Sequence, residues 1–577
     1  MGYLETYKAW LEDPYFDEAT KAELRSVADD DKEIRERFYN DLQFGTAGLR
    51  GIIGAGTNRM NIYVVRKTTQ GLANYILSQN GQDKGVAIAY DSRHMSPEFA
   101  REAALTLAAN GIRAYYFETL RPTPELSFAV RYLGCIAGIN ITASHNPPEY
   151  NGYKVYWEDG AQITPPHDNG ITLAVRAVTD WADVKTMDEK AALEAGLLKI
   201  IGAEVDDPYI AELKKNVLHP EAIAAEGGNL KIVYTPLHGT GNIPARRVLS
   251  ELGFKNVFVV PEQAEPDGDF PTVSYPNPES EEAFELGLKY AREQDADLVL
   301  ATDPDADRLG VRVKDSEGVY HTLTGNMSGT LIGDYEISQR IAVNGSIPED
   351  SVIVKTIVTT NLADAMAEHY NLKLIECLTG FKYIGQQILN MEKTGVGHYQ
   401  FGFEESYGCL PATYARDKDA IIAVMVLCEA AAYYKTQGKN LWDVMLDIYE
   451  RYGYYKDAVK SIEMKGIEGL AMIGKLMDSF RANAPAEVAG LKVLKTRDYD
   501  ADEIVDLATG TKSPTGLPKS NVLYYELEDG AWICIRPSGT EPKIKFYYGI
   551  KGTSLEDAEV KGKAMDAALE ALVKANS

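Results

Sequence analysis

DLVLATDPDADR (297–308) sets six almost wholly apolar residues against a loop with an aspartate at 303, 305 and 307. An apolar run of that length reads as a buried strand, and the carboxylates fall where the strand ends. Before it stand KIVYT (231–235), a helical segment ARRVLSELG (245–253) and a second strand NVFVV (256–260). The same arrangement occurs earlier. VAIAY (86–90) is followed by a helix opening at Ser96-Pro97, by IRAYYF (112–117), and by GINI (138–141) running into TASHNP (142–147). It occurs again later as VIVKT (352–356), LADAMAEHY (362–370), LKLIEC (372–377) and HYQFGF (398–403) running into EESYG (404–408). Pro in a first helical turn and Asn-Gly or Leu-Gly after the last are the expected start and stop signals.

Strands alternating with helices predict α/β layers with largely parallel sheets, whose ligand loops gather at the carboxyl ends of strands. The three most polar loops lie there. After about Tyr454 the pattern changes to NVLYYELE (521–528), AWICIR (531–536), KIKFYYGI (543–550) and an amphipathic helix from Ser554. This reads as a small α+β domain. The expected fold class is α/β: three similar α/β domains with mixed sheets and a smaller C-terminal α+β domain. The expected boundaries are 1–205, 206–322, 323–452 and 453–577.

The 577 residues exceed what one core can organise. Fifty-nine Lys plus Arg against 85 Asp plus Glu give a net charge of −26. A general nucleic-acid binder needs a basic face, and a polyanionic membrane surface repels such a chain. Neither is an expected partner. Five scattered cysteines without a CxxC pair fit neither a disulfide framework nor a zinc site. With no apolar leader at the N-terminus, the expected location is cytoplasmic. The sequence carries no signal for oligomeric state.

The loops carry distinct chemistry. Asp303, Asp305 and Asp307 can converge on one hard cation such as Mg²⁺. An EF-hand does not fit, because its glycine position holds Arg308 and its last ligand position Lys314. A solvated acidic turn is the competing reading. In TASHNP, Ser144 can serve as a nucleophile with His145 as acid, base or orienting group, or the loop is an ordinary turn. Lys154 follows Asn151-Gly152, read as a tight turn that folds it back towards Ser144. RPSGTEPK (536–543) reads either as a phosphate cradle, with Arg536, Ser538, Gly539 and Thr540 donating, or as a hairpin turn. Glu404 and Ser406 suit neighbouring sugar hydroxyls, and FGTAGLRG (44–51) places Arg50 among small residues.

In this order and spacing the five loops resemble the α-D-phosphohexomutase family over nearly the whole chain, nearest to its larger phosphoglucomutase branch. The resemblance implies three similar α/β domains and a fourth around one central cleft, and a small-molecule sugar phosphate as partner. It implies that Ser144 carries a phosphoryl group and binds Mg²⁺ together with Asp303, Asp305 and Asp307. Arg308 would lie near the transferring group, and Arg50, His145 and Lys154 would assist transfer. Glu404 and Ser406 would hold sugar hydroxyls. Thr379, Gly380 and Lys382 of TGFKYIG (379–385) would sense sugar orientation. Arg536, Ser538, Gly539, Thr540 and Lys355 would hold the non-reacting phosphate. The implied activity is an intramolecular phosphotransferase converting glucose 1-phosphate and glucose 6-phosphate through glucose 1,6-bisphosphate, which also acts as activator. Mannose or pentose phosphates are alternative substrates, and a non-catalytic sensor on the same scaffold is a further alternative.

Overall fold

The computed structural model describes residues 2–42, 48–464, 466–538 and 543–576. Its first sheet runs Leu49–Ile52, Tyr150–Trp157, Ala137–Ile141, Val86–Tyr90, Ala114–Phe117, Leu198–Ile201. Val86–Tyr90 pairs in parallel with both Ala114–Phe117 and Ala137–Ile141. The second sheet repeats this core, with Lys231–Thr235 parallel to Asn256–Val259 on one side and Leu298–Thr302 on the other. In the third, Ser351–Thr356 lies parallel to Lys373–Cys377 and His398–Glu404. Each copy therefore places its first strand between its third and its second. Antiparallel additions make the first two sheets mixed: Tyr150–Trp157 beside Ala137–Ile141, and Leu309–Lys314 beside Leu298–Thr302. The central strands are buried throughout, which is why they read as unbroken apolar runs.

The C-terminal sheet is antiparallel, with Tyr454–Glu463 against Lys543–Gly552 and then Trp532–Pro537, Leu523–Leu527 and Leu491–Asp498. Helices Gly466–Ala482 and Leu555–Asn576 contribute to its apolar core. The α+β reading is correct, but strands at 454–463, 487–498 and 503–513 and the helix at 466–482 exceed what the sequence suggested. The three helices at Tyr3–Glu12, Glu18–Ser26 and Asp31–Phe38 were not anticipated either. They close over an aromatic cluster of Trp10, Phe16, Phe38 and Tyr63.

The chain forms two compact units. One comprises Met1–Thr324, Gly385–Gly395 and Tyr407–Asn440; the other comprises Gly325–Ile384, Val396–Ser406 and Leu441–Ser577. Part of the expected third domain thus belongs with the first unit. Helix Ala420–Lys435 explains this. Thirteen of its residues are buried, and its Glu429 accepts the amide hydrogens of Leu218 and His219 at 2.7 and 2.5 Å. Asp419 caps the helix through the amides of Ile421 and Ile422 and accepts the hydroxyls of Tyr209 and Tyr414. Such a cap contributes about 1 kcal/mol. No helix among the described residues is long and apolar enough to cross a membrane.

Candidate active site

The polar loops end the third strand of each copy, and each contains a non-glycine residue at positive φ: Ser144 (+52°), Ala306 (+51°) and Tyr407 (+68°). Left-handed backbone costs about 1–2 kcal/mol in an ordinary residue. Here it turns the loop sharply after the strand.

In the first unit, Ser144 Oγ donates to Asp303 Oδ2 at 2.7 Å. Asp303 Oδ1 accepts the amides of Asp307 and Arg308, which wraps the loop around that carboxylate. Asp303, Asp305 and Asp307 are buried and present ligand oxygens within 4.8 Å of one another, the one such group among the described residues. Asp305 Oδ1 and Asp307 Oδ1 accept no hydrogen bond from any described residue. Buried carboxylate oxygens left open in a convergent set fit a hard divalent cation. Burial and the two neighbouring carboxylates push Asp303 well above the carboxylate range. Asp305 is held ionised by Lys154, whose ammonium lies 2.9 Å away, against the penalty of burial.

Lys154 reaches the triad by a different route from the one expected. Asn151-Gly152 is not a turn but lies inside strand Tyr150–Trp157, paired with Leu49–Ile52 on one side and Ala137–Ile141 on the other. Gly152 is needed for close approach, since a Cβ there would sit 2.5 Å from the Thr142 carbonyl. His145 Nδ1 is 3.2 Å from Ser144 Oγ, and Arg50 donates to Asn146 Oδ1 at 3.0 Å. Both therefore flank the serine. Arg308 donates to Glu279 at 2.7 Å, with its Nε 3.8 Å from Asp307.

Several residues in this half escaped the sequence reading. Lys418 lies 2.8 Å from Asp307 Oδ2. Thr123, opening helix Thr123–Tyr132, donates its hydroxyl to Asp305 Oδ2 at 2.7 Å and its amide to the Asp305 carbonyl. The Thr240 amide donates to the Pro304 carbonyl at 2.8 Å, from a loop that closes on the aspartate loop at Gly239. The only signal for Lys418 was a cation between two aspartates just before a long apolar helix.

The second unit holds the residues expected to meet the sugar and its non-reacting phosphate. Glu404 Oε1 accepts the Gly380 amide at 2.9 Å, joining the glutamate loop to 379–382. Thr379 Oγ1 is buried without a described partner, and Lys382 lies 5.2 Å from the Tyr383 ring. Ser406 is half-buried beside these. Glu405 is pushed up to about 7 by burial and by Glu404, with Lys545 and Arg536 opposing. Arg536 is the last residue but one of strand Trp532–Pro537, and the Ser538 amide donates to the Lys543 carbonyl at 2.8 Å. RPSGTEPK is thus a hairpin connection at its described ends; Gly539 and Thr540 lie outside the described residues. Lys355 is bonded to Asp364 and to Asn361 Oδ1.

A hydroxyl held against convergent carboxylates, with ammonium groups beside them, fits the site of a phosphoryl-transfer enzyme. The comparisons agree. Residues 41–180, 207–318, 324–452 and 481–567 match, in order, domains I, II and III and the C-terminal domain of phosphoglucomutase/phosphomannomutase. A Staphylococcus epidermidis phosphoglucomutase is 39% identical over 519 residues, covering 90% of this chain and 92% of its own. One from Staphylococcus aureus is 38% identical over 537 residues, covering 93% and 94%. A phosphoglucomutase/phosphomannomutase family protein from Burkholderia thailandensis shares the fold at a TM-score of 0.64 and 20% identity, over 92% of this chain and 97% of that one. Parafusin from Paramecium, in its open form, does so at 0.65 and 17%, over 93% and 95%. The chain belongs to the phosphoglucomutase/phosphomannomutase family.

Proposed function

We propose that this enzyme is a phosphoglucomutase, interconverting glucose 1-phosphate and glucose 6-phosphate through a phosphorylated Ser144 and glucose 1,6-bisphosphate. The observation that carries the reading is the 2.7 Å bond from Ser144 Oγ to Asp303 within a triad of buried, partly open carboxylates. Asp303, Asp305 and Asp307, with Ser144, would hold Mg²⁺, which supplies neutralisation of phosphoryl charge. Lys154 and Lys418 place two ammonium groups at the same point. These groups neutralise charge and move protons at the attacking and leaving hydroxyls. Ser144 gives its phosphoryl group to the free hydroxyl of the sugar phosphate, the bisphosphate turns over, and Ser144 takes the group at the other end. Glu404, Ser406 and the 379–382 loop grip sugar hydroxyls in either orientation, and Arg536 and Ser538 hold the phosphate that is not reacting. The curated relatives bear the name phosphoglucomutase, which favours glucose phosphates over mannose or pentose phosphates.

The test is turnover of glucose 1-phosphate with Mg²⁺ and catalytic glucose 1,6-bisphosphate, beside mannose 1-phosphate and ribose 1-phosphate. Glucose phosphate is expected to be preferred, with intact mass showing one phosphoryl group that Ser144→Ala lacks. Equal rates for wild type and Ser144→Ala would reject the reading.

A further inference from the structure

The carbonyl oxygens of the loop that carries Ser144 turn towards one guanidinium. Arg93 is fully buried. Its Nη2 donates to the carbonyls of Ser144 and Asn146, each at 2.5 Å, and its Nη1 to those of Pro147 and Tyr150 at 2.8 and 3.1 Å. The four Nη hydrogens thus meet four carbonyls. Nε faces Asp91 Oδ2 at 3.3 Å, while Asp91 Oδ1 accepts the Ser96 hydroxyl at 2.7 Å and the Arg93 amide at 2.9 Å. The guanidinium carbon lies 5.0 Å from the ring centroid of Phe270, which comes from the segment after the second strand of the second sheet.

Without Arg93 these carbonyls lose a donor, and only that of Pro147 keeps a second one, the Tyr150 amide at 3.1 Å, among the backbone bonds of this loop. A buried carbonyl left unsatisfied costs about 1–3 kcal/mol. The loop also bears the cost of Ser144 at positive φ. A lysine offers three donors on a tetrahedral nitrogen and cannot match four carbonyls around a planar fork. None of the hydrogen bonds of Arg93 goes to Ser144 Oγ or to the triad, so it acts through the backbone.

We infer that Arg93 is a positioning residue. It fixes the serine loop in the left-handed turn that aims Ser144 Oγ at Asp303, and it sets the rate of phosphoryl transfer without taking part in sugar-phosphate recognition. The inference rests on the function proposed above.

The test is Arg93→Lys in the full chain with Mg²⁺, glucose 1-phosphate and catalytic glucose 1,6-bisphosphate. Arg93→Lys keeps a cation for Asp91 but loses the fork. The expected result is a kcat lower by about 10² or more, the loss that a misplacement of about 1 Å produces, with KM within about threefold of wild type. Amide exchange should quicken in 143–151 and stay unchanged in Trp532–Pro537. A wild-type kcat, a loss confined to KM, or faster exchange throughout the chain overturns the inference. If Arg93→Lys does not fold, Phe270→Ala gives the graded case, because it removes the ring against the guanidinium and leaves all four carbonyl bonds possible. A several-fold fall in kcat with the same local exchange supports the inference, and an unchanged kcat overturns it. Failure of the wild type to convert any sugar phosphate would overturn the functional reading instead.

Discussion

The Lys418 ammonium lies 2.8 Å from Asp307 Oδ2, and the Lys154 ammonium 2.9 Å from Asp305 Oδ2. Burial favours the protonated form of Asp303, so a bound cation must displace that proton; the triad then carries three negative charges against the two positive charges of these lysines. A divalent cation reverses that balance, and a phosphoserine carrying about −2 restores it. The two lysines therefore compete mildly with the metal while assisting the phosphoryl group. Lys418→Ala is expected to lower kcat by about 10²-fold or more, yet to lower the Mg²⁺ concentration needed for half-maximal rate. Titrating Mg²⁺ in the coupled assay reads both. An unchanged kcat would remove Lys418 from the mechanism.

Metal binding should be visible without turnover. The open oxygens of Asp305 and Asp307 leave the triad with acceptor capacity that a cation would use. A ligand bound only by the folded state adds stability of about 2.7 kcal/mol at one hundred times its Kd. Mg²⁺ should therefore raise the Tm of the wild type, EDTA should return it, and Asp305→Asn should abolish the dependence. A Tm indifferent to Mg²⁺ in the wild type would count against a metal site in this triad.

The sequence revealed those parts of the site whose residues follow one another. Asp303, Asp305 and Asp307 occupy one loop, so their convergence needed only a strand before them. Lys418 and Arg93 could not be read in this way. Their partners at Asp307 and in 144–150 are close only after separate segments have packed, and a lone lysine or arginine looks solvated. Asn151-Gly152 was misread because its local turn preference is real but weaker than pairing on both sides of the strand. In the last domain, Leu491–Asp498 is half-exposed along most of its length. Its hydrophobic alternation is faint, and no apolar run marks it as a strand.

Glu405 gives a pH signature. Its folded pKa is pushed up to about 7, first by burial and then by Glu404, against an unfolded value near 4.3. Between those values the folded state keeps a proton that the unfolded chain loses. Stability should therefore fall as pH rises from about 4.5 to 7 and lose no more to this group above that. Glu405→Gln removes the charge and keeps the shape, so its advantage over wild type should grow across this interval. At pH 8 it should be more stable by about 1–3 kcal/mol. Urea unfolding at pH 5 and pH 8 measures the difference, and an equal effect at both pH values would show that Glu405 does not titrate there.

Gly239 tests whether the metal loop depends on support that makes no contact with the metal. A Cβ at this position would lie 2.3 Å from the Pro304 Cα and 2.6 Å from its carbonyl oxygen, both backbone atoms that cannot swing aside. The neighbouring Thr240 amide holds the same carbonyl at 2.8 Å. Gly239→Ala must therefore push the two loops apart, at a cost of about 1–3 kcal/mol for an overpacked contact. The displacement falls on Pro304, between two of the three ligands, and carboxylate geometry around Mg²⁺ tolerates little change. The variant should show weaker Mg²⁺ stabilisation and a kcat lower by about tenfold or more, with KM for glucose 1-phosphate little changed, because Glu404, Ser406 and Arg536 belong to the other unit. Gly228→Ala is the control: its nearest neighbour would be a flexible lysine carbon at 3.8 Å, and neither stability nor Mg²⁺ response should move. If both alanine variants behave alike, the Gly239 loop does not support the metal site.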